Sequence, residues 1–283
     1  MEVLIINLNK VLSGFTLDNG IYYMHKRDDI SYPEYGNDIF FKVEDESFWF
    51  KHRNNCIIEV VNRFCGKNDV FFDVGGGNGY VSKGLQSAGI ETVLVEPGIS
   101  GVINAKKRGV NNIICSTVQN IDFKGERINA VGLFDVIEHV EDDIAFIKSL
   151  YECTEKNGYI FITTPAYKLL WSDEDIEAGH FRRYTLKSLK LKLDLVGYEE
   201  VYSTYIFGFL LLPILLMRTI PYILGFSKRR KKSLGERQSE HKANQSLVNT
   251  IIDALLAFEL KIISRKMKMF FGGSCLVVAR KKT

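Results

Sequence analysis

Short apolar runs alternate with amphipathic stretches through the middle of the chain. The runs at 70–74, 92–96, 112–116, 130–134 and 159–163 have strand length and are rich in Val, Ile, Leu and Phe. Near-continuous apolar strands of this kind belong to sheets buried on both faces. Between them, 79–88 and 142–151 carry apolar residues at helical spacing, and Asn157-Gly158 supplies a stop before the fifth run. The alternation predicts a parallel sheet with helices on both faces. After Pro165 an irregular stretch leads to a predicted helix over 185–196, with Thr185 as N-cap and Gly197 closing it, and then to a strand over 201–207. Residues 208–226 are almost wholly apolar, and a helical pattern over 245–269 precedes a final strand at 274–279. Residues 1–37 mix short apolar runs with turn signals such as Asp18-Asn19-Gly20, and no period holds for long. The expected organisation is an accessory segment (1–47), a core (48–207 and 272–283) and a helical, partly apolar insert (208–271). No internal repeat is visible.

Composition narrows the class. The 283 residues are 46% hydrophobic and 25% charged, as in ordinary globular proteins, and long enough to bury a substantial core. A net charge of +3 is small for this length and gives no reason to expect nucleic-acid binding. The cysteines Cys56, Cys65, Cys115, Cys153 and Cys275 are scattered without C-x-x-C pairs, which argues against a zinc ribbon or a disulfide framework and fits the cytoplasm. The first eight residues lack the basic flank and cleavage site of an export signal, so no targeting segment is expected.

The sharpest chemical signal is the turn Asp73-Val74-Gly75-Gly76-Gly77-Asn78-Gly79 between a strand and a helix. Residues without side chains let a ligand lie against the backbone. The next strand ends in Glu96, a carboxylate able to accept hydrogen bonds from both hydroxyls of a ribose. The two features together point to an adenosine-containing ligand. A dinucleotide turn needs a small residue where this chain has Tyr80, and a phosphate loop needs a Lys-Ser or Lys-Thr that does not follow the glycines.

At Asp73, Gly75, Gly77 and Gly79 the chain resembles the first motif of class I S-adenosylmethionine-dependent methyltransferases. The run Asp135-Val136-Ile137-Glu138-His139-Val140, followed by Glu141-Asp142-Asp143, is similar to the D-V-L-E-H-V-E-D signature of a bacterial group resembling the ubiquinone-pathway O-methyltransferases. The likeness extends to Phe48-Trp49-Phe50 with Arg53, and to Gly179-His180-Phe181-Arg182-Arg183-Tyr184-Thr185. It implies an α/β fold: a doubly wound, mostly parallel, Rossmann-like sheet of seven strands, the last two antiparallel, with the insert before the final strand. S-adenosyl-L-methionine is then the cofactor, bound by Asp73, Gly75, Gly77, Gly79 and Glu96, with Thr117 and Val118 edging the adenine. Phe134 and Asp135 lie beside the methyl group, and Arg53 reaches the cofactor's carboxylate or simply packs at a helix start.

Three roles are open for the Glu-His pair. His139 is a general base near neutrality, with Glu138 and His180 beside it; or Asp135, Glu138, His139 and His180 hold a divalent metal, the less favoured reading; or the pair is structural. Trp49, Arg182, Arg183 and Tyr184 are candidates for acceptor contact, the arginines being equally able to pin their loop to Asp173 or Asp175. The expected activity is methyl transfer, O-methylation favoured, to a bulky or apolar small-molecule or lipid-linked acceptor. Its rivals are a catalytically silent nucleotide-binding partner and a nucleotide-dependent oxidoreductase. Pro213, Arg218 and Pro221 interrupt the apolar segment, which suits contact with a membrane surface through 208–232, aided by Lys228-Arg229-Arg230-Lys231-Lys232, better than a membrane span. A lid over the acceptor or a homodimer contact is the competing use of the same surface.

Overall fold

The computed structural model describes residues 8–12, 14–24, 34–66, 68–225 and 247–282. Five parallel strands form the centre of the sheet. These are β3 (Val70–Val74), β4 (Glu91–Val95), β5 (Asn112–Cys115), β6 (Ile128–Phe134) and β7 (Thr154–Pro165). Every residue of β3 is buried, as its unbroken apolar run requires of a strand covered on both faces. The last two strands, β8 (Tyr198–Ile206) and β9 (Ser274–Lys281), are antiparallel to each other, and β9 inserts antiparallel between β7 and β8.

Among the described residues the sheet has nine strands rather than seven. A hairpin of β1 (Thr16–Asp18) and β2 (Ile21–Tyr23) extends it past β5, giving the order β1-β2-β5-β4-β3-β6-β7-β9-β8. Strands of three residues are too short to show a period, and only the parallel register of Ile21 to Tyr23 against Ile113 to Cys115 defines them. The same N-terminal region forms α1 (Glu34–Phe41).

Helices cover both faces. α2 (Phe48–Phe64) starts at Ser47, whose hydroxyl accepts from Phe50 N, and buries Cys56, Ile57, Val60 and Val61 against the sheet. α3 (Tyr80–Ser87) and α4 (Ile99–Arg108) follow β3 and β4, and α5 (Asp143–Cys153) follows β6 with Asp142 as its side-chain cap. The chain needs no stop at Asn157-Gly158: it enters β7 at Thr154, and Asn157, at φ +63°, bends that strand internally. α6 (Asp173–Ala178) lies in the connection to α7 (Leu186–Val196), which Thr185 and Ser188 cap reciprocally and Gly197 ends at φ +109°.

The insert begins with helical turns from Gly208 to Ile223, including a π-helical turn over Leu215–Thr219 just before Pro221. Proline lacks the N–H needed there, and a widened turn accommodates the missing bond. The basic run at 228–232 and the first residues of the 245–269 pattern lie outside the described residues. α8 (Leu247–Ser264) packs on α2 and is shorter than its apolar pattern: the chain leaves the helix, and Lys266 adopts φ +64°. Glu259 joins α8 to the core, its Oε1 accepting from Phe207 N (2.6 Å) and His52 Nε2 (2.8 Å) and its Oε2 from Gly208 N (2.7 Å). Among the described residues no helix is long and apolar enough to cross a membrane.

Candidate active site

The C-terminal ends of β3 to β6 open into a cavity of about 480 Å³. This is where open α/β sheets bind ligands. Its floor is the glycine turn. Gly75 has φ +72°, and a Cβ there would lie 2.7 Å from Val136 Cγ2, so no side chain fits. Gly77, at φ +52°, also lines the cavity, while Gly79, at φ +71°, works from behind: a Cβ on it would sit 2.8 Å from Val110 and 2.9 Å from Ala105, where α3 meets α4.

Asp73 is buried below the turn and accepts from Ser82 Oγ at 2.6 Å. Burial raises its pKa to about 6 against the opposing effect of that hydrogen bond. Glu96 lines the cavity and accepts from Gly98 N (2.7 Å) and Gly77 N (2.9 Å), so it fixes the shape of the turn. Burial pushes its pKa up to about 7. Thr117 and Val118 line the wall that follows β5, with Ser116 beside them.

Across the cavity stand Phe134, Asp135, His139 and His180. Asp135 has φ +59° and a carboxylate held by Thr163 Oγ1 (3.1 Å) and by Arg53. Arg53 also lines the cavity, and its Nε is buried without a partner. The rings of His139 and His180 meet edge to face with centroids 4.7 Å apart. Burial and the neighbouring His180 lower the pKa of His139 to about 4, so it is neutral at physiological pH rather than poised near neutrality. His180 Nδ1 contacts Asp175 Oδ1 at 2.8 Å. Glu138 does not line the cavity. It is wholly buried beneath it, Oε2 accepting from Thr164 Oγ1 (3.0 Å) while Oε1 has no partner, and burial with the nearby Asp135 raises its pKa well above the carboxylate range. Glu138, His139 and His180 nevertheless bring one donor atom each within 4.8 Å of one another, a set that leaves Asp135 out.

Trp49, Arg182, Arg183 and Tyr184 stand apart from the cavity lining. Trp49 stacks on Phe207 with centroids 3.6 Å apart. Arg183 grips Asp175 with Nε (2.7 Å) and Nη2 (2.9 Å), and Arg182 donates to Glu141 O (2.6 Å). Tyr184 is buried and donates to Asp143 (2.6 Å). The loop is therefore pinned by its own arginines, the alternative use foreseen for them.

The sequence patterns gave no sign of Asn37, Phe40 and Glu44, which α1 and its following turn bring to the cavity. Asn78 Nδ2 donates to Asn37 O (2.8 Å) and Glu44 Oε1 (3.3 Å), and Arg108 Nη1 donates to Glu44 Oε2 (2.6 Å). The one available signal was Asn78, a polar residue buried inside a glycine turn, which must find a partner.

A family model described as Methyltransferase domain matches residues 49–203. The chain belongs to this methyltransferase family. The chain is similar to a Ubiquinone biosynthesis O-methyltransferase of Parvibaculum lavamentivorans, 27% identical over 99 residues, 33% of this chain and 39% of the relative. It is likewise similar to one from Bradyrhizobium diazoefficiens, 30% identical over 97 residues, 32% of this chain and 38% of the relative. The chain thus spans about two fifths of the length of these curated relatives. Its fold is similar to that of Haemonchus contortus phosphoethanolamine N-methyltransferase 2 in complex with S-adenosyl-L-methionine, at TM-score 0.55 and 15% identity, covering 89% of this chain and 58% of that one.

S-adenosylmethionine is the cofactor the family implies, and the residues present fit it. Gly75, Gly76 and Gly77 line the cavity with backbone alone, Glu96 presents its carboxyl group to the same cavity, and the partnerless Nε of Arg53 is a buried donor suited to the cofactor's carboxylate.

Proposed function

We propose that the chain transfers a methyl group from S-adenosylmethionine to an oxygen of a bulky, apolar or lipid-linked acceptor at the cytoplasmic side of the cell. The observation that carries this reading is one shared cavity, with the glycine turn and Glu96 on one wall and His139 with His180 on the other. When bound, the cofactor supplies an electrophilic methyl on a cationic sulfur. Glu96 would hold the ribose hydroxyls and Thr117 with Val118 the adenine. Arg53 would exchange Asp135 for the cofactor's carboxylate. His139, kept neutral by burial, accepts a hydrogen bond from an acceptor hydroxyl and orients its oxygen, so the expected gain comes from positioning and excluded water more than from proton abstraction. His180 would stand against the same hydroxyl, its ring fixed through Asp175.

Calorimetric titration with S-adenosylhomocysteine and with dinucleotides tests the cofactor. Tight binding of the former is expected, with Glu96→Ala weakening it roughly 10- to 100-fold as two hydrogen bonds to the ribose are lost. Binding of dinucleotide alone would overturn the reading.

A metal-assisted variant is favoured by one observation, the partnerless Glu138 Oε1 beside the two histidines. Glu138, His139 and His180 would hold the ion, which would polarise the acceptor oxygen. Activity unchanged by chelation, together with no calorimetric binding of Mg²⁺ or Zn²⁺, would exclude it.

A further inference from the structure

The insert presents an apolar face to solvent. From Gly208 to Gly225 the single charged residue is Arg218, and its guanidinium is taken by Glu174 on α6 at 2.6 Å. Leu212, Leu216, Met217, Ile220, Ile223 and Leu224 are all exposed, Met217 at 79%. Their spacing of four, one, three, three and one places them along one side of the helical turns. The opposite side is fixed: Thr219 is buried, and Ile214 packs against the buried cluster to which Phe207, Leu210 and Leu256 belong.

A second apolar element begins at the same junction. A Cβ on Gly208 would lie 2.6 Å from Met269 Cε, and one on Gly273 would lie 3.0 Å from Ile214 Cδ1, so the chain from Met269 to Gly273 abuts the insert's first turns. That stretch exposes Phe270 at 87% and Phe271, and Met267 just before it is exposed as well. Lys266 and Lys268 flank Met267, Lys261 and Arg265 precede them, and from 260 to 271 there is no acidic residue.

Exposed apolar area of this extent marks a surface meant to be covered. Long aliphatic, Met and Phe side chains edged by cations match the boundary between acyl chains and anionic headgroups. The insert turns at Leu215–Thr219 also pack against Lys168–Leu170, at the start of the loop whose far end brings Ala178 and His180 to the cavity. Along that loop Leu169 and Ile176 are exposed.

We propose that the face from Leu212 to Leu224 and the segment from Arg265 to Phe271 seat the protein on an anionic lipid bilayer, beside the loop that leads to His180. The proposal deepens the reading of an apolar acceptor, since a bilayer is where such an acceptor is held. Docking itself rests only on the surface.

The test is flotation of the full-length protein with phosphatidylcholine vesicles, with and without phosphatidylglycerol, alongside S-adenosylhomocysteine titration of each variant as a control for folding and for the cofactor reading. Wild type should float with the anionic vesicles and lose binding as salt rises. Phe270→Ser/Phe271→Ser and Met217→Ser/Ile223→Ser should each bind vesicles about tenfold more weakly or worse while holding S-adenosylhomocysteine normally. Lys266→Glu/Lys268→Glu should weaken binding about fivefold or more per charge removed. Failure of wild type to float, or flotation of both apolar variants equal to that of wild type, would overturn the proposal. So would a wild-type dimer in solution that the apolar variants convert to monomer without any vesicle binding, because a second copy would then cover the face. Loss of S-adenosylhomocysteine binding by wild type with flotation intact would instead strike the methyltransferase reading alone.

Discussion

Glu259 and Glu138 are both wholly buried glutamates, but their surroundings differ. At Glu259 both oxygens are filled, by two backbone N–H groups and His52, and the result is a closed joint between α8, the start of the insert and α2. At Glu138 one oxygen has Thr164 and the other has nothing, beneath the His139–His180 pair. A buried polar atom without a partner costs free energy, so a fold keeps one mainly where function uses it. The comparison separates a glutamate whose hydrogen bonds are all filled from one that keeps an unfilled oxygen beneath the cavity.

The largest effect should follow Glu259→Ala, which strands two N–H groups and His52. We expect a loss of about 3–5 kcal/mol in chemical denaturation, with the S-adenosylhomocysteine affinity of the remaining folded protein little changed. An equal loss from Glu138→Gln would erase the distinction between the two sites.

Glu138→Gln should cost roughly 1 kcal/mol or less in stability, because burial favours the neutral acid over the carboxylate and the amide is a neutral group of nearly the same shape. Methyl transfer should fall about 10- to 100-fold if the side chain supports His139. Unaltered turnover in a single-turnover assay would make Glu138 a packing residue like any other.

His139 should also leave a pH signature. Its pKa is about 4 in the folded chain against an ordinary 6.5, so between these values the unfolded chain binds the extra proton. Stability carried by this group is complete above about 6.5 and falls toward pH 4, with a slope of up to about 1.4 kcal/mol per pH unit. Glu96, raised to about 7, acts in the opposite sense: the folded chain holds its proton, and stability falls as pH rises from about 4.5 to 7. Comparing wild type with His139→Gln across this range isolates the histidine's share. Coincident curves would mean that His139 is not desolvated.

Much of this architecture was legible because it is local. The five central strands, the Thr185 cap with Gly197, and the glycine turn each declare themselves within a few residues, through unbroken apolar runs and glycines at positive φ. Strands β1 and β2 did not, since three residues carry no period and their pairing with β5 spans about ninety positions. α4 was missed as well, its apolar spacing diluted by Asn104 and three consecutive basic residues. In the site, residue type marked Glu96 and His139, but Asn37 and Glu44 reach the cavity only through long-range bonds to Asn78 and Arg108.

The sequence by itself determined the alternating sheet, the cofactor turn and the family, because backbone conformation and strand burial follow from neighbouring residues. Tertiary structure alone decided that Arg182 and Arg183 pin their own loop, that His139 is neutral, and that one buried glutamate is sealed while another is open. Charge state and hydrogen-bond satisfaction depend on which distant groups share a low-dielectric interior, and that is settled only when the chain has folded.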